Sequence, residues 1–380
     1  MPLKVGFFTT DSRDHMPNPG KFPSLGTAPS ALLEGFLGMP NIHVHIISCS
    51  QKGVPSAEKL GSNIWFYSLV VPKWGWLRSG YMGCVLASRR LLTAIMPDLV
   101  HAQGTERDCA ISALSFRGPK ILTLHGNVRR VASVLKAPPF SYWWLQARLE
   151  RFSIPRFDGV VSISKYTQSL VSGLAKKTWL LPNAVDSAFF DIQPKRASEV
   201  PVILVVANVD PRKNQIGLIH SLDSLSRQRS FEVRFFGKCG EDPYGREFRS
   251  LVQARPWCFW GGMLGREELR QQFAQATAVM LPTWEDNCPM VVLEAQAAGV
   301  PVIASNVGGV PDLVENEVTG ILTDPSRPET MPKALARLLG DPEFAKRLAE
   351  EGRSQAKARF HPKVIAAKHL EIYREVIASR

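Results

Sequence analysis

The sequence predicts an α/β protein made of two parallel-sheet domains. Three observations lead there. Short β-rich apolar runs alternate with amphipathic helical patterns, the mark of strand–helix–strand units joined by right-handed crossovers. The alternation stops at the polar, unpatterned stretch Asp191-Ile-Gln-Pro-Lys-Arg-Ala-Ser-Glu199 and then begins again. The chain has 380 residues, 45% of them hydrophobic, enough to bury two cores of ordinary domain size.

In the first half, the runs Lys4–Thr9, His43–Ser48, Trp65–Val70, Leu99–Gln103, Ile121–Leu124, Val160–Ser162 and Trp179–Leu181 read as strands. The polar stretch 191–199 reads as a linker. Strands then follow at Val202–Val206, Val233–Phe236, Cys258–Trp260, Val279–Leu281, Val302–Ala304 and Gly320–Leu322. From Glu329 the pattern is helical, broken near Gly340-Asp-Pro342 and resumed at Pro362, a residue suited to a first helical position because its missing N–H is not needed there. The expected domains are Rossmann-like and span 1–190 and 191–361.

Composition narrows the class. Residues 1–190 hold 21 Lys and Arg against 10 Asp and Glu, so nearly all of the formal charge of +12 lies in the first half. Such asymmetry suits an anionic partner: a lipid diphosphate, an anionic membrane leaflet or nucleic acid, with solvated surface charge as the plain alternative. Pro72-Lys-Trp-Gly-Trp-Leu-Arg78, Arg129-Arg130, Lys136, Tyr142-Trp-Trp144 and the arginines between Arg148 and Arg156 mix rings with cations, as bilayer-interface surfaces do. No nucleic-acid fold signature accompanies them, and nucleic acid is not expected as a partner. The six cysteines are scattered and lack metal-site pairing. The N-terminus runs directly into an apolar strand, and no stretch of ~18 apolar residues occurs, so a cytoplasmic protein is expected, peripheral to the inner membrane face if it binds lipid.

The chemistry concentrates between Leu281 and Ala304. Thr277–Leu281 reads as a buried strand, Trp284–Cys288 as its carboxyl-end loop and Pro289 as the first residue of a helix that contains Glu294. In open α/β sheets ligands bind outside the carboxyl ends of the strands, where a helix N-terminus offers N–H groups and a positive dipole to a diphosphate. Asp286 and Glu294, with seven residues between them, flank that position. Acids also favour helix starts through the dipole alone.

This segment resembles the acidic signature of family 4 glycosyltransferases (glycosyl transferases group 1), in which two glutamates are separated by seven residues and a Gly-x-Pro-Val run follows the helix. The resemblance covers nearly the whole chain and is strongest from Trp179 to Thr323. It implies a GT-B fold, two Rossmann-like domains facing a central cleft, and retaining transfer of a sugar from a nucleotide diphosphate donor, UDP- or GDP-linked, to a hydroxyl acceptor. A lipid-linked or polysaccharide glycan is the implied acceptor. By the resemblance Asp286, an aspartate where the family has glutamate, binds donor-sugar hydroxyls, a role that Glu285 could share. Glu294 accepts hydrogen bonds from the ribose. The final helix, 362–378, is expected to return to the first domain with Ile365, Leu370, Ile372, Tyr373 and Val376 on its apolar face.

Other segments extend the resemblance. Val205-Val-Ala-Asn-Val-Asp-Pro-Arg-Lys-Asn-Gln215 is similar to the family's phosphate loop, with Lys213 at the lysine position, Asn208 where an arginine is expected and Arg212 nearby to supply the charge. A fixed cation there lowers the barrier to departure of the diphosphate. His125, in Leu122-Thr-Leu-His-Gly126, matches a strand-His element at the reaction centre; His101 is a weaker candidate, and Gln103–Thr105, which also ends a strand, is expected to line the acceptor side. Gly26 stands where a glycine approaches the diphosphate, ahead of a helical pattern from Ala31 to Leu37. Asn287, Cys288, Pro289 and Met290 complete the expected donor-binding set. Asn306-Val-Gly-Gly-Val-Pro-Asp-Leu-Val-Glu315, Ser162-Ile-Ser164 and Leu181-Pro-Asn-Ala-Val-Asp186 match family segments without assigning chemistry. With no Asp-x-Asp in the chain, metal-independent catalysis without a cofactor is expected. A non-catalytic GT-B binding or scaffold protein stays open as the alternative, and a basic nucleic-acid-binding protein as the remote one.

Overall fold

The computed structural model describes residues 1–16, 20–193 and 200–379. They form two units, one of Met1–Ala184 with the C-terminal residues from Pro362 onward, the other of Val185–His361. The division falls before position 190 because Val185–Phe190 is built into the second unit. There Phe189 meets Phe273 edge-on at 5.3 Å, and Asp186 accepts from Arg266 Nη2 at 2.8 Å. Most of the expected linker, 194–199, lies outside the described residues.

The first unit contains β1 (Leu3–Phe8), β2 (Ile42–Ser50), β3 (Lys59–Gly61), β4 (Ile64–Val70), β5 (Leu99–Gln103), β6 (Lys120–Leu124), β7 (Gly159–Ser162) and β8 (Thr178–Leu180). They lie in the order β3-β4-β2-β1-β5-β6-β7-β8, parallel throughout except for the antiparallel β3–β4 pair. Every residue of β5, β6 and β7 is buried, as expected for central parallel strands covered on both faces. The helix Pro362–Ala378 packs on the helix Thr27–Phe36. Gly35 permits this contact, since a Cβ there would sit 2.2 Å from the Pro362 carbonyl oxygen. Ile365, Leu370, Ile372, Tyr373 and Val376 are all buried in this core.

The second unit contains β9 (Val202–Val206), β10 (Glu232–Phe236), β11 (Cys258–Trp260), β12 (Ala278–Leu281), β13 (Val302–Ser305) and β14 (Ile321–Thr323), all parallel. Their order is β11-β10-β9-β12-β13-β14. The order of connection reverses between β9 and β12, which makes the carboxyl ends of these two strands a topological switch point, the usual ligand crevice of such sheets. On the flanks, Gln215–Ser226 packs against Thr330–Gly340, and Met290–Ala298 against Pro342–Phe360. No helix among the described residues is long and apolar enough to cross a membrane.

Candidate functional site

The two loops leaving β9 and β12 are stitched together. The Arg212 carbonyl accepts the Trp284 N–H at 2.8 Å and the Thr283 hydroxyl at 3.0 Å. Asp210 caps the short turn Pro211–Lys213 by accepting the Arg212 N–H at 2.8 Å. These contacts bring Lys213 Nζ and Asp286 Oδ2 into an ion pair, with side chains 17% and 15% exposed. The pair sits at the switch point, so the sequence-predicted cation and first acid meet where the sheet offers its crevice.

The glycine pair after β13 completes this arrangement. Gly308 has φ +55°, and a Cβ there would lie 2.1 Å from the Asp286 carbonyl oxygen. The Gly309 N–H donates to that same carbonyl at 2.9 Å. The double glycine therefore does more than turn the chain: it lets the β13 loop support Asp286.

Glu294 lies within the helix Met290–Ala298 and is 4% exposed. Burial raises its carboxyl pKa to about 7, opposed by the Arg266 guanidinium and assisted by the Asp186 carboxylate. Arg266 donates to Asp186 from both Nε, at 3.0 Å, and Nη2, at 2.8 Å. This neighbouring pair was not singled out in the sequence; Asp186 stood only at the end of a family-like segment, and nothing marked Arg266.

Pro289 is corrected from first helical residue to N-cap. Its ψ of 115° is extended, and its carbonyl accepts the Val292 N–H at 3.1 Å, as an N-cap carbonyl does. Asn208 serves the backbone: its Oδ1 accepts the Lys238 N–H at 3.1 Å, and its carbonyl accepts Gln215 Nε2 at 2.9 Å. Arg212 is half-exposed and 4.0 Å from Asp210. Glu285, Asn287 and Met290 are partly exposed, whereas Cys288 is buried.

In the first unit, His125 follows β6. Its Nε2 lies 2.8 Å from Gln103 Oε1, and an amide oxygen only accepts, so the imidazole donates from Nε2. Burial lowers the His125 pKa to about 4, with Asn183 opposing through a hydrogen bond, and the ring is neutral at physiological pH. Ala28 and Leu32, from the helix that Gly26 caps, share with His125 the lining of a cavity of about 10 Å³, the size of one water. His101, a weaker functional candidate in the sequence, is a core residue. It is 0% exposed and bonded to Tyr373 Oη and Thr123 Oγ1, each at 2.7 Å.

Among the described residues, Cys49, Cys84 and Asp108 could hold a metal ion, with ligand atoms within 4.8 Å of one another. All three are buried, and hydrogen bonding from Cys84, followed by burial, pushes the Cys49 thiol far up. They form a hydrogen-bonded group of core residues.

Comparison with known proteins places this architecture. The profile of the family described as "Glycosyl transferases group 1" matches residues 187–355, and that of "Glycosyltransferase Family 4" matches residues 36–189. A GDP-mannose-dependent alpha-(1-6)-phosphatidylinositol monomannoside mannosyltransferase of Mycobacterium tuberculosis is 30% identical over 246 residues, 59% of this chain and 63% of the relative's own length. The MMP alpha-(1->4)-mannosyltransferase of Mycolicibacterium hassiacum is 25% identical over 279 residues, 68% of this chain and 66% of the relative. Among solved structures, sucrose-phosphate synthase from Thermosynechococcus elongatus superposes with a TM-score of 0.78 at 19% identity, covering 100% of both chains. Anabaena HepE in complex with UDP-glucose gives 0.72 at 17% identity, also covering 100% of both chains. These likenesses establish the expected fold class, two parallel-sheet α/β domains of GT-B type.

Proposed function

The chain belongs to the group 1 glycosyltransferases of family 4, and from that membership we propose that it transfers a sugar from a UDP- or GDP-sugar to a hydroxyl acceptor, with retention of anomeric configuration. The observation that carries the proposal is the Lys213–Asp286 pair at the switch point of the second unit, with the buried Glu294 in the helix that follows. On this reading Asp286 accepts donor-sugar hydroxyls. Lys213 shares its charge with the departing diphosphate, the cationic role that needs no metal ion here. Glu294 accepts from the ribose diol, and Arg266 with Asp186 tunes its charge.

For the acceptor we propose a lipid-linked or polysaccharide glycan. The M. tuberculosis relative is named for a phosphatidylinositol glycoside, and the first unit has a surface that suits such a substrate. Arg129, Arg148 and Arg151 line a groove of about 650 Å³ together with Trp144 and Phe152. Arg148 stacks 4.9 Å above Trp144, Arg156 stacks 3.7 Å above Phe152, and Phe140 is 80% exposed. Exposed rings with cations favour the headgroup layer of an anionic membrane.

The test is turnover. GDP-mannose, UDP-glucose and UDP-N-acetylglucosamine are each supplied with a membrane lipid extract, and release of nucleoside diphosphate and labelling of lipid are followed. One donor is expected to turn over, with a loss of about 100-fold or more in Lys213→Ala and Glu294→Gln. Unchanged turnover in Glu294→Gln would remove that carboxylate from the mechanism. Donor binding without transfer would mark a binding protein.

A further inference from the structure

A cleft of about 160 Å³ opens in the second unit beside the loops that carry Lys213 and Asp286. Its walls include Leu218 and Ser221 of the helix after β9, Trp284 of the β12 loop, Ser305 at the end of β13, Asp324 after β14 and Met331. None of these residues belongs to the donor site described above.

Ser305 is 0% exposed, and its Oγ finds no hydrogen-bond partner among the described residues. Leaving a buried hydroxyl unpaired costs free energy, and Ser305 is a residue of the cleft wall. The remaining lining has a mixed character. Trp284 stays 48% exposed although its backbone is pinned to Arg212. Asp324 is held by the Ser326 N–H at 2.9 Å and hydroxyl at 2.6 Å, and lies 3.6 Å from Arg327. Leu218 and Met331 supply apolar surface.

We propose that this cleft binds one pyranose ring of a carbohydrate chain. A pyranose presents apolar C–H faces and a rim of hydroxyls. Trp284, Leu218 and Met331 match the faces; Asp324 accepts from the rim, and Ser305 both donates and accepts. The volume is below the ~300–1,000 Å³ of pockets that enclose drug-sized ligands, and it suits a single ring. Asn214, next to Lys213, also lines the cleft, and Trp284 is two residues from Asp286, so an occupied cleft buttresses both donor-site loops. The inference rests on the transferase reading for the source of the ring, a unit of the glycan on which the enzyme acts, but not for its binding.

Saturation-transfer NMR on the full chain, with the methyl α-glycosides of mannose, glucose and galactose as probes, tests this directly. Transfer to at least one glycoside is expected, weakened about fivefold by Ser305→Ala, which removes one hydrogen bond. It should be lost in Ser221→Phe, which fills the cleft, and unchanged in Asp286→Asn. Ser305→Ala removes an unpaired hydroxyl and should fold as well as the parent. Thermal shifts with UDP and GDP on the same samples separate the two readings. Nucleotide shifts without transfer to any glycoside would overturn the cleft and leave the transferase reading standing. Transfer that survives Ser221→Phe but is lost in Asp286→Asn would overturn it too, because the sugar would then occupy the donor site.

Discussion

At pH 8 the Glu294 carboxyl, with a pKa raised to about 7 in the fold against an ordinary 4.5, is ionised against the preference of its surroundings. A raised carboxyl pKa means that the folded state holds its proton longer than the unfolded chain does. The stability contributed by the protonated group is complete below pH 4.5 and is lost as pH rises through about 7, a difference on the order of 3 kcal/mol. Glu294→Gln should therefore be more stable than the parent at pH 8 and equal to it near pH 4.5, as read by urea denaturation at both values; a less stable variant at pH 8 would contradict the origin of the shift. On the proposed reading, in which ribose hydroxyls donate to the ionised form, nucleotide affinity should fall up to about tenfold per pH unit below 7. His125, pushed down to about 4, should add no limb to the pH–rate profile above about pH 5. Asp286, Glu294 and Lys213 were legible as residues beside a strand end or a helix start because the offsets to those elements can be read along the chain. Asp186 and Arg266 were not, since they are 80 residues apart and only the fold pairs them.

Elements were legible where burial imposes a pattern. Each expected strand forms, within a residue or two of its expected bounds, because parallel strands covered on both faces need continuous apolar runs. The edge strand β3, Lys59-Leu-Gly61, was missed: three residues against one neighbour leave no periodicity to read. Pro289 was misplaced by one position because proline suits both the residue before a helix and its first turn, and only its extended ψ decides. The glycine pair 308–309 announced a turn, but its contact with the Asp286 carbonyl is a tertiary fact. Gly308→Ala tests it. A side chain at φ +55°, 2.1 Å from that oxygen, must displace the loop, so nucleotide-sugar affinity should drop at least about tenfold while destabilisation stays near 1–3 kcal/mol, measured by titration and thermal unfolding. Unaltered affinity would show that Asp286 does not depend on the β13 loop.

For the molecule as a whole, the uneven charge gives a prediction independent of the donor site. Nearly all of the net +12 lies in residues 1–190, and three arginines of that half share a groove with Trp144 and Phe152. Binding to vesicles containing anionic phospholipid should weaken with salt and fall about tenfold or more in the double variant Arg148→Glu, Arg151→Glu, with nucleotide binding retained; equal flotation of the variant would leave the charge as surface solvation. The central claim concerns the second unit, and thermal unfolding with UDP, GDP and ADP, free and sugar-linked, tests it most directly, because a ligand that binds only the native state raises its midpoint. One nucleotide class should raise the midpoint; the rise should vanish in Glu294→Gln, and the part of it that the linked sugar adds should vanish in Asp286→Asn. No rise with any nucleotide, or a rise undiminished in both variants, would contradict a nucleotide-sugar site at the β9–β12 switch point.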